Sequence, residues 1–359
     1  MEFEGVQGLV EKEFGMRELE EHIWIPSTEL EEEVYYGFEF DQITSDLLGN
    51  SRSDQNAIGA IAGIEVQNPD IMDLSQYGPD WYDPAAAKAD PKSHFVNTAE
   101  DLVEAVANAN AGDIIELTAD RYEFGVPLQI NKKLTIQSRD SINKSILSYV
   151  GEIETPAFEM NPKGELILNS VSLVGSGENY AFASLKENMS SLYNLVVQNS
   201  EISNFDYVLK AYKYSFSEYI KFKSTRIQNC NNGLELSGED DDRGEYNAEN
   251  IFIVDSQFEG VNRNVIDYYR GGYDESTVGG NLIVKGSTFS NCGAGEETGI
   301  LINTYGIINV GLSDNTFQNN KVKLVARLWG AKNNVESNNS IQNSGKIISE
   351  QNLPLKLMY

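Results

Sequence analysis

The chain has 359 residues, 40% of them apolar, and its 55 acidic residues outnumber 27 basic ones, so its formal charge is −28. This charge argues against nucleic-acid binding, because phosphate contacts need a basic surface or stripe. The sequence has no run of about 18 apolar residues, so we expect no membrane-spanning segment.

The first 93 residues show little regular pattern. Residues 1–64 are acidic and too short for a convincing independent core, although EEEVYYGFEF at 31–40 favours a strand. Residues 65–93 hold four of the nine prolines and no sustained periodicity, which is typical of a linker. The opening, MEFEGVQGLVEKEFG, lacks the basic-then-apolar pattern of a signal peptide.

A short helix is predicted next, within NTAEDLVEAVANANAGDIIEL at 97–117. Thr98 and Asp101 have the spacing of a capping box, and Gly112 ends the helix before a strand. One helical face carries the apolar residues Leu102, Val103, Val106 and Ala109. We expect this helix to cover the first turn of a solenoid, whose core and strand edge would otherwise be exposed.

The remaining chain is an internal repeat. Similar segments start at residues 133, 165, 194, 219, 250, 281, 309 and 334. In NIFIVDSQFE (250–259), apolar residues two apart mark a strand with one buried face, and small polar residues then turn the chain. A unit of this length cannot bury that face alone, so the units must stack. The pattern predicts an all-β, right-handed parallel β-helix of about eight or more turns over residues 94–359.

Recurrent asparagines support the same fold. Four of them follow the second apolar position of the repeat, which suits left-handed turns and side-chain stacking: Asn204, Asn229, Asn291 and Asn319. A sandwich or a propeller is the alternative, but hairpin turns of the Asn-Gly type are scarce between the strands.

The chain has two cysteines and two histidines. Cys230 and Cys292 occupy the same repeat position two turns apart, too far for a disulfide, so we expect buried core thiols. His22 and His94 have no second ligand at metal-binding spacing, which makes a zinc site or a Ser-His-Asp triad improbable.

One candidate site is NVIDYYRGGYDESTVGGN at 264–281, which interrupts the repeat. Tyr269 and Arg270 could present an aromatic ring and a guanidinium to a sugar acid or to a neighbouring domain. The structural interpretation, which we favour, is an ion pair of Arg270 with Asp274 or Glu275 that fixes the loop between two turns.

A second candidate is the basic stretch 207–226, which would bind an anionic polysaccharide. Its cations are Lys210, Lys213, Lys221, Lys223 and Arg226. Because Ile220 and Phe222 should point into the core, Lys221 and Lys223 should point outward together. The competing interpretation is a solvated outer face. The acidic loop 238–250 could bind calcium but lacks an EF-hand pattern, so we predict no metal site.

Three segments resemble polysaccharide lyase family 6, the chondroitinase B-like enzymes and alginate lyases. IDYYRGGYDES (266–276) resembles a motif of the second β-helix of its two-domain members, DLSQYGPDW (73–81) their linker, and ITSDLLGNSRSDQNAIGA (43–60) the end of their first β-helix. The resemblance implies that residues 1–64 are the remnant of a preceding β-helical domain.

The family eliminates across a uronic acid with a lysine base, an arginine acid and calcium, all in its first β-helix. Lys223-Ser224 matches the start of that motif, but the Leu-Arg-His-Gly that should follow is absent. We therefore assign no catalytic residue and no cofactor to this chain, and leave enzymatic activity open.

The resemblance implies an accessory β-helix that binds acidic polysaccharide such as alginate, beside an N-terminal catalytic β-helix domain. An active uronate lyase and a structural or carbohydrate-binding solenoid are the alternatives. A homodimer is left open. The family suggests a periplasmic or secreted protein, which conflicts with the missing signal pattern, so localisation is also left open.

Overall fold

The computed structural model describes residues 16–20, 23–27, 44–51, 65, 90–186, 191–238, 246–270 and 278–351. The chain divides into two units, Met1–Ala89 and Asp90–Tyr359. In the first unit, β1 (Met16–Glu20) pairs antiparallel with β2 (Ile23–Pro26). The predicted division into remnant, linker and β-helix stays a prediction, since most of residues 1–89 lie outside the described ranges.

The second unit is a parallel β-helix with three sheets, so the predicted fold class is confirmed. The first sheet has ten strands: β3 (Ser93–Val96), β4 (Ile114–Leu117), β7 (Lys133–Ser138), β10 (Glu165–Asn169), β13 (Tyr193–Gln198), β16 (Ser217–Lys223), β19 (Asn250–Val254), β22 (Gly279–Lys285), β25 (Ile307–Ser313) and β28 (Asn333–Ser337).

The second and third sheets have nine strands each. The second sheet contains β5 (Arg121–Phe124), β8 (Ile146–Tyr149), β11 (Ser172–Val174), β14 (Glu201–Ser203), β17 (Arg226–Gln228), β20 (Gln257–Glu259), β23 (Thr288–Ser290), β26 (Thr316–Gln318) and β29 (Ser340–Gln342). The third contains β6 (Leu128–Ile130), β9 (Pro156–Met160), β12 (Tyr180–Ser184), β15 (Tyr207–Lys210), β18 (Asn232–Leu236), β21 (Ile266–Tyr269), β24 (Ile300–Tyr305), β27 (Leu324–Trp329) and β30 (Lys346–Glu350).

Each turn of the solenoid adds one strand to every sheet, and inward residues of successive turns stack in the core. Phe258, Phe289 and Phe317 are fully buried, with ring centroids 5.1 and 4.9 Å apart. Burying one such ring contributes about 2 kcal/mol. Cys230 and Cys292 are buried thiols, as predicted, and burial raises their pKa values to about 12 and about 11.

The predicted capping helix is confirmed as α1 (Ala99–Asn108), which contacts the strands β3 to β6 at the N-terminal end of the solenoid. The backbone N–H of Asp101 donates to Thr98 Oγ1 at 3.1 Å, and the Thr98 N–H donates to the Asp101 carboxylate at 3.2 Å. Leu102 and Val106 are buried, so the apolar face of the helix covers the end of the core.

The turns have the predicted left-handed backbone. The φ angles are 58° at Asn204, 53° at Asn229, and 55° at both Asn291 and Asn319. The predicted repeat register is confirmed through residue 309 and wrong by one residue after it, because Asn309 pairs with Asn333. Residue 333, not 334, starts the last repeat, and the segment 333–342 then matches 309–318 without a gap.

No helix among the described residues is both long and apolar enough to cross a membrane.

Candidate functional site

The basic stretch 207–226 does not form one surface. Lys210 ends β15 on the third sheet, Lys221 and Lys223 lie on β16 of the first sheet, and Arg226 begins β17 on the second. Lys213 lies in the turn between β15 and β16. A run of basic residues in sequence is therefore distributed around the solenoid, and only part of it can contact one ligand.

Ion pairs with described carboxylates, on separate faces, engage Arg226 and Lys210. Arg226 Nη2 lies 2.7 Å from Glu259 Oε2, and Lys210 Nζ pairs with Glu235 Oε1. Each carboxylate belongs to the next strand of the same sheet. The competing interpretation of a solvated, internally paired face therefore describes Arg226 and Lys210 well.

Lys221 and Lys223 point outward together, as predicted, because the residues that alternate with them, Ile220 and Phe222, are fully buried. Two strands further on, Lys285 of β22 stands at the same register as Lys223, with Val254 of β19 between them. The strand spacing places the backbones of these two lysines about 10 Å apart.

We define the lysine face as the outward residues of five strands in the first sheet. They are Asn194, Val196 and Gln198 on β13; Tyr219, Lys221 and Lys223 on β16; Asn250, Phe252 and Val254 on β19; Asn281, Ile283 and Lys285 on β22; and Asn309, Gly311 and Ser313 on β25. None of these residues is acidic, although the whole chain carries 55 acidic residues. Glu165, Glu218 and Asp255 border the face, and Glu165 lies on β10 at the register of Asn194.

Asparagine amides form a ladder along one side of the lysine face. Asn281 Nδ2 donates to Asn250 Oδ1 at 2.7 Å, Asn309 Nδ2 to Asn281 Oδ1 at 2.8 Å, and Asn333 Nδ2 to Asn309 Oδ1 at 2.7 Å. An amide has two donors and two acceptor positions, so each ladder member keeps groups that can bind a hydroxyl. The ladder therefore spaces those groups at the distance between neighbouring strands of the sheet.

Aromatic rings hold the Lys221 ammonium group. It lies 4.0 Å from the centroid of the Tyr219 ring and 5.4 Å from that of Phe252. Burial, followed by the nearby Glu165 carboxylate, raises the pKa of Tyr219 to about 12. The phenol therefore stays neutral near pH 7 and can exchange hydrogen bonds with a sugar hydroxyl.

Tyr269 of the predicted loop site lies on the third sheet, away from the lysine face. Its neighbours at the same register are Tyr305 and Trp329, and adjacent ring centroids are 5.6 Å apart in both pairs. Asn303 Nδ2 donates to Asp267 Oδ1 at 2.7 Å and to the Tyr269 hydroxyl at 3.2 Å. Burial raises the pKa of Asp267 above its ordinary value, and this hydrogen bond opposes the rise.

Arg270 is held from three sides. Its guanidinium pairs with Glu249 and lies 3.9 Å from the centroid of the Tyr246 ring. Gly279 packs against it, since a Cβ there would lie 2.8 Å from Arg270 Nε. Asp274 and Glu275, the expected partners, lie outside the described residues, so that pairing stays a prediction. Among the described residues, the Arg270 guanidinium thus has an ion-pair partner in Glu249 and an aromatic partner in Tyr246.

Several residues of these faces were not identified from the sequence. Lys285 could have been found, because the repeat alignment already places it level with Lys223. Arg327 and Trp329 could not, because they lie on the third strand of a turn and the aligned repeat covered only the first two. Among the described residues, no group of three His, Cys, Asp or Glu side chains is placed to hold a metal ion.

Comparisons with known proteins support the fold. No family model matches the sequence, and no curated protein matches it. The solved structure of the PL6 family alginate lyase AlyGC aligns with 94% of this chain at 20% identity and a TM-score of 0.58. A mutant of the same lyase, with one arginine replaced by alanine, aligns with 96% at 20% identity and a TM-score of 0.68. The chain spans under half of that lyase, 47% and 45% in the two alignments. The chain therefore has the β-helical fold of a polysaccharide lyase.

Proposed function

We propose that this chain is an accessory, non-catalytic β-helical unit that binds an acidic polysaccharide such as alginate through the lysine face. The observation that carries the proposal is a lysine-bearing face without acidic residues in a chain of formal charge −28. The similarity in fold to an alginate lyase supports this ligand class. An N-terminal catalytic β-helix domain is the partner we expect, since the chain spans under half of that lyase.

The chemistry of the lysine face suits a uronate chain. Lys223 and Lys285 can each meet a carboxylate, and the asparagine ladder can meet hydroxyls. The five strands of the face extend over about 19 Å, enough for several sugar residues. Because salt screens charges beyond about 8 Å at physiological ionic strength, the local lysines outweigh distant acidic groups at contact.

Calorimetric titration with alginate oligosaccharides tests the proposal. We expect the double variant Lys223→Ala/Lys285→Ala to bind at least about tenfold more weakly at the lysine face, because two charge-assisted contacts of about 1 kcal/mol or more each are lost there. Affinity should also fall with added salt. Arg226→Ala is the matched control, since this arginine is paired on another sheet and its loss should leave affinity unchanged. Equal affinity of the double variant and the wild type would refute the lysine face.

The same preparations separate binding from catalysis. Incubation with alginate, with and without calcium, is followed by the ultraviolet absorbance of an unsaturated uronate product. The accessory proposal expects no turnover. Turnover that Lys223→Ala abolishes would instead establish the alternative, an active lyase.

A further inference from the structure

A second set of residues with sugar-binding chemistry lies on the third sheet. Tyr269, Tyr305 and Trp329 stand at one register on β21, β24 and β27, half-buried and directed outward. Their rings form a row parallel to the solenoid axis. Aromatic rings bury large apolar area, and the apolar faces of sugar rings pack against them.

Arg327 lies beside this row, two residues before Trp329 on the same strand and the same face. Its Nε donates to Asn303 Oδ1 at 2.9 Å, and its guanidinium carbon lies 5.1 Å from the Trp329 ring centroid. Asn303 is itself fixed by its bonds to Asp267 and Tyr269. The side chain is thus held before any ligand arrives.

The terminal nitrogens of Arg327 make no ion pair with any described residue. At its register the neighbouring strands supply Asn303 and Ile348, neither of which is acidic. Three carboxylates lie near this register. Asp267, two strands away, accepts a hydrogen bond from Asn303, and Glu235, three strands away, is paired with Lys210. Glu350 lies on the adjacent strand at the register of Trp329 and makes no ion pair with Arg327. A positioned guanidinium with terminal donors matches a planar carboxylate in two parallel hydrogen bonds.

We propose that Arg327, Tyr305 and Trp329 form a second binding site, for a uronate-bearing saccharide whose carboxylate meets Arg327 while a sugar ring packs on the aromatic row. The site lies on a different sheet from the lysine face, so one chain can hold two saccharide strands at once. Two-site attachment raises the apparent affinity for a polymer far above that for a short oligosaccharide.

A titration with a uronate tetrasaccharide, followed by calorimetry and tryptophan fluorescence, tests this site. We expect two bound tetrasaccharides per wild-type chain and one for Arg327→Lys, because lysine keeps the charge but loses the paired contact. Ligand-induced fluorescence change should vanish in Trp329→Phe, although two of the three tryptophans remain. Arg226→Lys is the matched control, and this variant should still bind two tetrasaccharides per chain.

The ligand provides a test that needs no variant. A carboxyl-reduced tetrasaccharide should bind this site at least about tenfold more weakly than the acid form. At concentrations that saturate the site with the acid form, it should leave Trp329 fluorescence unchanged. The lysine-face variant Lys223→Ala/Lys285→Ala should keep the fluorescence change and bind one tetrasaccharide, so the two sites fail separately. The second site is overturned if Arg327→Lys still binds two tetrasaccharides per chain. It is also overturned if the carboxyl-reduced tetrasaccharide changes Trp329 fluorescence to the same extent as the acid form.

Discussion

At the scale of single residues, the described end of the segment 264–281 depends on how closely Gly279 and Gly280 approach their neighbours. Gly280 has φ +72°, and a Cβ there would lie 2.7 Å from the Tyr268 hydroxyl and 3.3 Å from the Glu249 carbonyl oxygen. Tyr268 is fully buried and donates its hydroxyl proton to Ala248 O at 2.7 Å. Glycine is required here both by the backbone angle and by the buried hydroxyl.

Gly280→Ala should therefore reduce the free energy of unfolding by about 1 to 3 kcal/mol, through left-handed strain together with displacement of Tyr268. Chemical denaturation measures the change. Gly177→Ala is the control, since Gly177 has φ +93° but nothing within 4 Å of its added Cβ. Equal losses in the two variants would show that strain alone matters and that the contact with Tyr268 does not.

At the scale of structural elements, polar side chains link the turns between the first and second sheets. The Ser256 N–H donates to Ser287 Oγ at 3.1 Å, and the Ser287 N–H donates to Asn315 Oδ1 at 2.9 Å. Asn315 Nδ2 donates to Val284 O at 2.9 Å. These groups are buried, so each turn satisfies backbone atoms of its neighbour that water cannot reach.

Asn315→Ala should reduce the free energy of unfolding by about 2 to 4 kcal/mol, because it leaves the Ser287 N–H and the Val284 carbonyl without this partner. Asn315→Ser should cost less, since serine already supplies the acceptor at Ser256 and Ser287 in the same ladder. Thermal unfolding of the wild type and the two variants gives their order of stability. If serine destabilised as much as alanine, the hydrogen bond would not be the reason for the loss.

The N-terminal end of the solenoid depends on one buried carboxylate. Asp113 accepts hydrogen bonds from His94 Nε2 at 2.7 Å, and from the backbone N–H groups of Lys92 and Asn110, each at 2.9 Å. Burial alone would raise its pKa, but these hydrogen bonds outweigh that effect and lower the pKa to about 2. The carboxylate thus ties β3 and the segment after α1 to the start of β4.

A pKa lowered in the folded state stabilises the protein above the unfolded pKa, near 4. This contribution should be lost as the pH falls from about 4 through about 2. The variant Asp113→Asn lacks this carboxylate stabilisation at every pH. The difference in melting temperature between wild type and variant should therefore be present at pH 6 and shrink toward pH 2. A difference that stayed constant over this range would show that ionisation of Asp113 is not its source.

At the scale of the whole molecule, parallel stacking converts a sequence repeat into continuous rows on each face. Strong net negative charge and a lysine-bearing face can coexist, because the acidic residues fall at other positions of the chain, 20 of the 55 within residues 1–89. The two proposed saccharide sites lie on separate sheets of one solenoid. Both use the same feature, side chains repeated at the strand spacing of about 4.8 Å.

The sequence by itself determined the period, the capping helix, the left-handed asparagine turns and the buried thiols. Each of these is a local pattern, in which a residue's role follows from its neighbours within a few positions. The outward pair Lys221 and Lys223 was predictable for the same reason, since side chains alternate along a strand.

Only the tertiary structure decided which residues share a face. Parallel pairing brings together positions 21 to 36 residues apart, and their register depends on the length of every intervening turn. That is why Arg270 meets Glu249, why the basic stretch divides over three sheets, and why the last repeat starts at Asn333. Arg327 and Trp329 join Tyr269 for the same reason: the solenoid, not the local sequence, sets their distance.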